Sequence, residues 1–539
     1  MDFIKSFLMP AACLAVLVSC GQSSQEALTT AGNPYLPLWE HIPDGEPYVF
    51  EDPDNPGEYR VYIYGSHDTR ITDYCGRELV VWSASVDDLN EWRYDGEILR
   101  VTYNQKGELL NEDGLSDILF APDVAVKTES DGSRMYYLYP NDQHGGRQNL
   151  IAKSSRPDGP FEVCNWSEDR PSCTEGVLGF DPAVFVDDDG RVYGYWGFER
   201  SYAAELDPAT MCTVKEGTEI VEDMIPGGQG DDLFRFFEAS SIRKIKDKYV
   251  FIYSRWTNDG EFGLPVTNYT LAYAYSDAPL GPWTYGGTLI DGRGREIDEN
   301  GNVIASATVT GNTHGSICEI AGQWYVFYHR QTGLNEFSRQ PMVAPVTVSV
   351  EDGKVEISEG EYNSEGFSLN GLEPLETHSA GIACWYTGPR EAVHCWPDKT
   401  FFGSYVAAGY GTEDKFEAPY ALRNNTNPVV NNTDGSIVGY KYFNFTSTYG
   451  HSNLKLILNL MPEGVDGTIT VMADRPWASQ GGVLLGSLDL KADMPMTPAE
   501  FSVPVPELAD LTGKHSIYLK FTSDVQDRSI CVLNALRFE

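Results

Sequence analysis

The sequence predicts an all-β chain: a five-bladed β-propeller followed by a β-sandwich of jelly-roll kind. Three observations carry that prediction. One phrase recurs five times across residues 34–355, strand-type alternation replaces helical periodicity over the same stretch, and short alternating segments fill the C-terminal third. With 539 residues, 41% hydrophobic and 12% aromatic, the chain can bury more than one core. Its 52 Gly, 31 Pro and 31 Tyr suit many short strands joined by many turns.

The first segment reads as an address rather than as structure. Lys5 gives a charged start, and Phe7 to Val18 is an apolar run too short to span a bilayer. The run ends in Leu17-Val18-Ser19-Cys20, which resembles the bacterial lipobox. That resemblance implies a signal peptide over 1–20 with Cys20 lipidated, a polar tether over 21–33, and an exported lipoprotein of a Gram-negative bacterium, periplasmic or attached to the outer membrane. The lipid would be the only membrane contact.

Each repeat joins a polar or acidic start, an apolar stretch, a turn and a strand rich in Tyr and Val. The copies begin at Asp44, Asp123, Asp181, Glu238 and His314, roughly 55 to 80 residues apart, which is the size of a four-stranded blade. Their second strands run Arg60 to Gly65, Arg134 to Tyr139, Val192 to Gly197, Tyr249 to Tyr253 and Trp324 to Tyr328. A second phrase, Ser154 to Phe161, is echoed by Ser276 to Trp283 and more faintly by Ser85 to Trp92; it marks the outer hairpins of blades. A propeller domain is expected over 34–355 and a junction over 356–385. A sandwich follows over 386–539, with strands at Gly439 to Phe445, Leu454 to Leu460, Gly467 to Met472, His515 to Phe521 and Ile530 to Phe538.

The net charge of −40 makes nucleic acid and anionic membrane poor partners and leaves a neutral oligo- or polysaccharide compatible. Eight cysteines follow Cys20 without metal-ligand spacing. Export would permit disulfides, with Cys164–Cys173 and Cys384–Cys395 the closest pairs, and buried thiols are the alternative.

The innermost strand of every blade lines the central channel, so the starts of the five repeats converge there. Gathering carboxylates costs stability, because like charges raise one another's pKa. Acid–base hydrolysis needs that arrangement. An inverting glycosidase pairs a general base with a protonated acid about 6.5–9.5 Å away, and a third carboxylate can keep the acid protonated.

At these residues the sequence resembles glycoside hydrolase family 43, five-bladed propellers that act on arabinofuranosides, xylosides and some galactosides with inversion. Pro43-Asp44-Gly45 is similar to the first family motif, although the family often has Pro where Gly45 stands. Phe180-Asp181-Pro182 matches the second and Phe237-Glu238-Ala239 the third. The resemblance implies Asp44 as general base, Glu238 as general acid and Asp181 as the residue that orients the acid and raises its pKa. It also implies that His314 holds a water or a calcium ion, that Asp123 is mainly structural, and that no cofactor is required while a structural Ca2+ in the channel is allowed. His67, Arg235, Arg339 and Trp196 are further candidates for sugar contact, through guanidinium hydrogen bonds or ring stacking.

The C-terminal part resembles a family 6 carbohydrate-binding module, but Val532 stands where such modules carry a sugar-binding Asn. Two other readings compete. A non-catalytic glycan-binding lipoprotein would keep the aromatics without three ordered carboxylates. A retaining fructosidase-like propeller would carry an Asn-Asp-Pro-Asn motif, which Asp44 lacks.

Overall fold

The computed structural model describes residues 31–70, 73–230, 232–307, 311–333, 336–337, 339–390, 403–407 and 427–539. Cys20 and Cys395 therefore lie outside the described residues. Among the described residues, the helices are single 3-10 turns, and no helix is long and apolar enough to cross a membrane.

Four antiparallel four-stranded sheets follow in chain order. Blade one is β1 (Glu46–Glu51), β2 (Tyr59–Tyr64), β3 (Leu79–Ser85) and β4 (Asp88–Leu99). Blade two is β5 (Leu119–Thr128), β6 (Arg134–Asp142), β7 (Ala152–Ser154) and β8 (Glu162–Val163). Blade three is β9 (Ala183–Val186), β10 (Val192–Trp196), β11 (Tyr202–Leu206) and β12 (Val221–Glu222). Blade four is β13 (Phe236–Ile245), β14 (Lys248–Arg255), β15 (Thr270–Ser276) and β16 (Thr284–Asp291), from which a hairpin projects, β17 (Arg295–Ile297) and β18 (Val303–Ala305). Blade five has three strands, β19 (Ser316–Ile320), β20 (Gln323–Gln331) and β21 (Arg339–Val346), followed by the hairpin β22 (Val348–Glu351) and β23 (Lys354–Ile357).

The first strands close a ring: β1 touches β5, β5 touches β9, β9 touches β13, β13 touches β19, and β19 returns to β1. That ring defines five blades around one axis. Each blade face is sealed by rings and aliphatics from its neighbour, as where Phe50, Tyr62 and Tyr64 of blade one meet Tyr136 and Leu138 of blade two. Burial of these faces is the main stabilising term. The abundant Tyr also carries hydroxyls to the seams. Tyr64 donates to the Pro157 carbonyl and Tyr195 to the Pro279 carbonyl, so each tyrosine ties its blade to the outer hairpin of the next. Those hairpins are the second repeated phrase of the sequence.

The chain then packs back on blade five. Tyr362 stacks on Tyr328 under the Arg330 guanidinium, and Phe367 meets Tyr325 and Phe327. The segment expected as a junction is thus a buried strap. Two antiparallel sheets make the sandwich. The first orders β26 (Tyr405–Val406), β27 (Val429–Val430), β34 (Cys531–Phe538), β29 (Lys455–Pro462) and β32 (Ala499–Pro504), with β24 (His378–Ser379) on β34. The second orders β25 (Trp385–Thr387), β28 (Ile437–Asn444), β33 (Lys514–Thr522), β30 (Gly467–Ala473) and β31 (Val483–Leu490). Sequence reading missed β31 and β32, edge strands whose outward residues are largely exposed. The β17–β18 hairpin clasps this domain: Glu296 pairs with Lys441 and Arg475, and Ser479 donates to the Glu299 carbonyl. Cys164 and Cys173 are free thiols, which settles that pair against a disulfide.

Candidate active site

The repeat starts bring Asp44, Asp181, Glu238 and His314 to one cavity of about 610 Å³ at the end of the channel, with Arg339 beside them. Local backbone geometry aims each one. Asp44 and Asp181 precede β1 and β9 with φ of 59° and 46°, a left-handed conformation that Asp tolerates better than most residues. Two such residues at one cavity fit the habit of functional sites to hold backbone strain. Glu238 lies in a bulge of β13, where the register with β14 slips between Phe236, Glu238 and Ser241 and Ala239 has φ of 66°. A bulge re-aims a side chain, and here it turns Glu238 into the cavity.

The three carboxyls, all under 9% exposed, sit in opposed electrostatic settings. Arg339 Nη1 lies 3.0 and 3.1 Å from the two Asp44 oxygens, and Ser66 Oγ donates to Oδ2 at 2.6 Å. Burial alone would push Asp44 up. The Arg339 charge, with the Ser66 bond, outweighs burial and holds Asp44 below the usual carboxylate range. Burial pushes His329 down to about 3, so this imidazole is neutral. Its Nδ1 accepts the Asp44 backbone N–H at 3.2 Å, and its Nε2–H faces the Asn312 carbonyl at 3.0 Å.

Glu238 is the reverse case. Among the described residues no hydrogen bond holds its carboxyl. Burial first, then the Asp181 and Asp44 charges, raise it well above the ordinary glutamate value. Asp181 is raised to about 6 by burial and by Asp44. Asn141 Nδ2 donates to its Oδ1 at 2.9 Å and the Ala239 backbone N–H to its Oδ2 at 3.1 Å. The second bond ties Asp181 to the residue that follows Glu238. At neutral pH the site therefore combines an ionised carboxylate, a protonated carboxylic acid and a carboxylate anchored beside that acid.

Arg339 and His314 line the cavity as expected; three other expected sugar contacts do not. His67 is buried against Glu40 and Glu78, each at 3.2 Å. Its neighbours in the same turn face the site instead, Ser66 on Asp44 and Asp68 on Arg339 at 2.8 Å. Arg235 bonds the Gly230 carbonyl and Glu261. Trp196 packs against Gly179 and stacks on Tyr202 inside blade three. Asp123 accepts from Tyr48 Oη and the Val184 backbone N–H, a structural role across the first strands of blades one to three. Sequence reading missed Ser66, Asn141 and His329, neutral residues whose importance comes only from the carboxylates they touch, and Asn312, which accepts from Arg339 at 3.3 Å and meets His329.

Several buried polar atoms on the first strands, or just before them, lack partners among the described residues. Glu46 Oε1, Ser240 Oγ, Thr313 Oγ1 and His314 Nε2 are buried without a hydrogen-bond partner among the described residues. Three of these four donors are oxygens, the ligand type calcium takes, and the imidazole suits a water bound to the ion.

An aromatic ladder borders the acid. Phe180 and Phe237 line the cavity. Phe198 lies 5.1 Å from each of them, and Trp256 is 5.2 Å from Phe237. Phe198 is 48% exposed, so one ring of the ladder faces solvent beside Glu238.

The model for "Glycosyl hydrolases family 43" matches residues 48–355, beginning just downstream of Asp44. A "Xylosidase/arabinosidase" of Thermoclostridium stercorarium is 32% identical over 91% of this chain and 95% of its own. An "Arabinoxylan arabinofuranohydrolase" of Paenibacillus polymyxa is 27% identical over 90% of this chain and 71% of its own. Among solved structures, a family 43 arabinoxylan arabinofuranohydrolase from Bacillus subtilis, in complex with cellotetraose, is 20% identical with a TM-score of 0.46, covering 95% of this chain and 99% of that one.

Proposed function

The chain belongs to glycosyl hydrolase family 43 and is a glycosidase, and from that premise we propose that it removes arabinofuranosyl or xylosyl units from plant-type oligo- or polysaccharides. The opposed settings of Asp44 and Glu238 carry the reading. Asp44, held ionised by Arg339, takes a proton from water as the water oxygen bonds to the anomeric carbon. Glu238, held protonated by burial and by Asp181, gives its proton to the glycosidic oxygen as the carbon–oxygen bond breaks on the opposite face. One bond forms and one breaks. Asp44 ends protonated and Glu238 ionised, and exchange with solvent resets both. Asp181 acts through Glu238, and Arg339 both holds Asp44 and reaches the cavity.

Members of the family need no cofactor for this chemistry. A calcium ion in the channel would be held by Glu46 and, through water, by His314, and would supply positive charge beneath the site. We further propose export and anchoring through Cys20, on the lipobox resemblance; a Cys20→Ala chain that still partitions with membranes would refute that. The sandwich serves as a brace for blade four, a role supported by the Glu296 clasp. The test of activity is sugar release from nitrophenyl α-L-arabinofuranoside, β-D-xyloside and galactofuranoside. Wild type should cleave one of the first two, and equal behaviour of wild type and Glu238→Gln on every glycoside would sink the reading.

A further inference from the structure

A second cluster of carboxylates stands behind the wall of the active site. Asn141 and Gln143 line the cavity. Asp142 lies between them, at the end of β6, and strand alternation turns it to the other side. There it meets Asp117, from the loop that enters β5; neither residue is exposed. His144 Nδ1 is 3.2 Å from Asp142 Oδ1 and 3.7 Å from Asp117 Oδ1. One ligand-capable atom from each of the three lies within 4.8 Å of the other two.

The two carboxyls are not equally provided for. Arg147 binds both oxygens of Asp117, with Nη2 at 2.8 Å from Oδ1, and Asn111 Nδ2 adds a bond at 2.8 Å. Asp142 Oδ1 accepts the His144 backbone N–H at 2.8 Å. Asp142 Oδ2 is buried and receives no hydrogen bond from any described residue. Two carboxylates against one guanidinium leave one buried negative charge without a counter-charge. Carboxyls in contact persist only with a proton or a cation between them. His144, whose side chain is 36% exposed, gives the cluster an opening to solvent.

We propose that Asp117, Asp142 and His144 form a binding site for a divalent first-row transition-metal ion, with water completing the coordination. Two carboxylates and an imidazole suit Zn2+ or Mn2+ better than calcium, which takes six to eight oxygens. The bound ion holds the turn from Asp142 to Arg147 and thereby fixes Asn141, which orients Asp181. This site is separate from the channel and takes no part in bond cleavage.

The test uses the full, tag-free chain stripped with a chelator, then titrated calorimetrically and melted with ZnCl2, MnCl2 or CaCl2. Zn2+ or Mn2+ should bind at one equivalent and raise the melting temperature by at least about 3 °C at a hundredfold excess over Kd. Asp142→Asn removes an anionic ligand; it should melt like the metal-free wild type and lose the metal-induced shift. His144→Ala should weaken binding at least tenfold. No saturable binding up to millimolar metal, an unchanged shift in Asp142→Asn, or a shift with Ca2+ alone would each overturn the proposal.

Discussion

Replacing Glu238 by Gln isolates the proton that the site is built to deliver. The carboxyl is buried and, among the described residues, held by no hydrogen bond, so an amide of the same shape gives up neither packing nor a partner. Glu238 is neutral at pH 7, because burial and the Asp181 and Asp44 charges hold its proton. The exchange therefore leaves the charge of the site unchanged, and melting should stay within about 1 °C of wild type. What disappears is general acid catalysis, about 10²–10⁴-fold in rate, or about 3–5 kcal/mol of barrier. The loss should depend on the leaving group. Xylo- or arabino-oligosaccharides need the proton and should show the full loss in kcat. A dinitrophenyl glycoside, whose leaving group departs as a stable anion, should lose about tenfold or less. The alkaline limb of kcat/KM should vanish with the ionising group. Equal losses on both substrate classes, or an unchanged alkaline limb, would refute Glu238 as the acid.

Three further outcomes follow from the same geometry. Asp181→Asn keeps the bond from Ala239 N–H, and the Asn141 amide can rotate to meet the new NH2. Removing the charge lowers the Glu238 pKa, so the alkaline limb of kcat/KM should move to lower pH; a shift to higher pH, or none, contradicts the modulating role. Phe198→Ala removes the exposed ring that packs on Phe180 and Phe237 of the cavity wall, a platform proposed for the leaving sugar. It should cost about 3–10-fold in kcat/KM on xylo-oligosaccharides and nothing on a glycosyl fluoride, which has no leaving sugar to stack. A Cβ on Gly315 would fall 1.9 Å from the Phe327 carbonyl oxygen. Gly315→Ala should therefore cost about 1–3 kcal/mol of stability and disturb the adjacent His314, and an unchanged melt would show that the β19–β20 seam yields.

The blades were legible because each repeats one hairpin phrase, and the alternation that buries one strand face is written into the residue order. The convergence of Asp44, Asp181 and Glu238 on one cavity was legible for the same reason: the starts of first strands meet at the axis whatever the loops do. The sugar-contact candidates were not. His67 is a candidate for sugar contact by sequence, yet the chain direction there presents Ser66 and Asp68 to the site and turns His67 into a buried pair with Glu40 and Glu78. Arg235 and Trp196 were read from residue type alone, and type does not say which face of a blade a side chain takes. Asn141 and His329 act only through Asp181 and Asp44, so nothing in their local sequence marks them. The strap over 356–385 looked like a linker because its composition is polar, while its few aromatics do the packing.

The central claim is a single displacement between Asp44 and Glu238, and the stereochemistry of the first product tests it most directly. Proton NMR during early hydrolysis of the preferred aryl glycoside, recorded faster than mutarotation, should show the anomer opposite to that of the substrate. A product of retained configuration would contradict the account, since it would require a carboxylate to bond the sugar where the account proposes that Asp44 activates water.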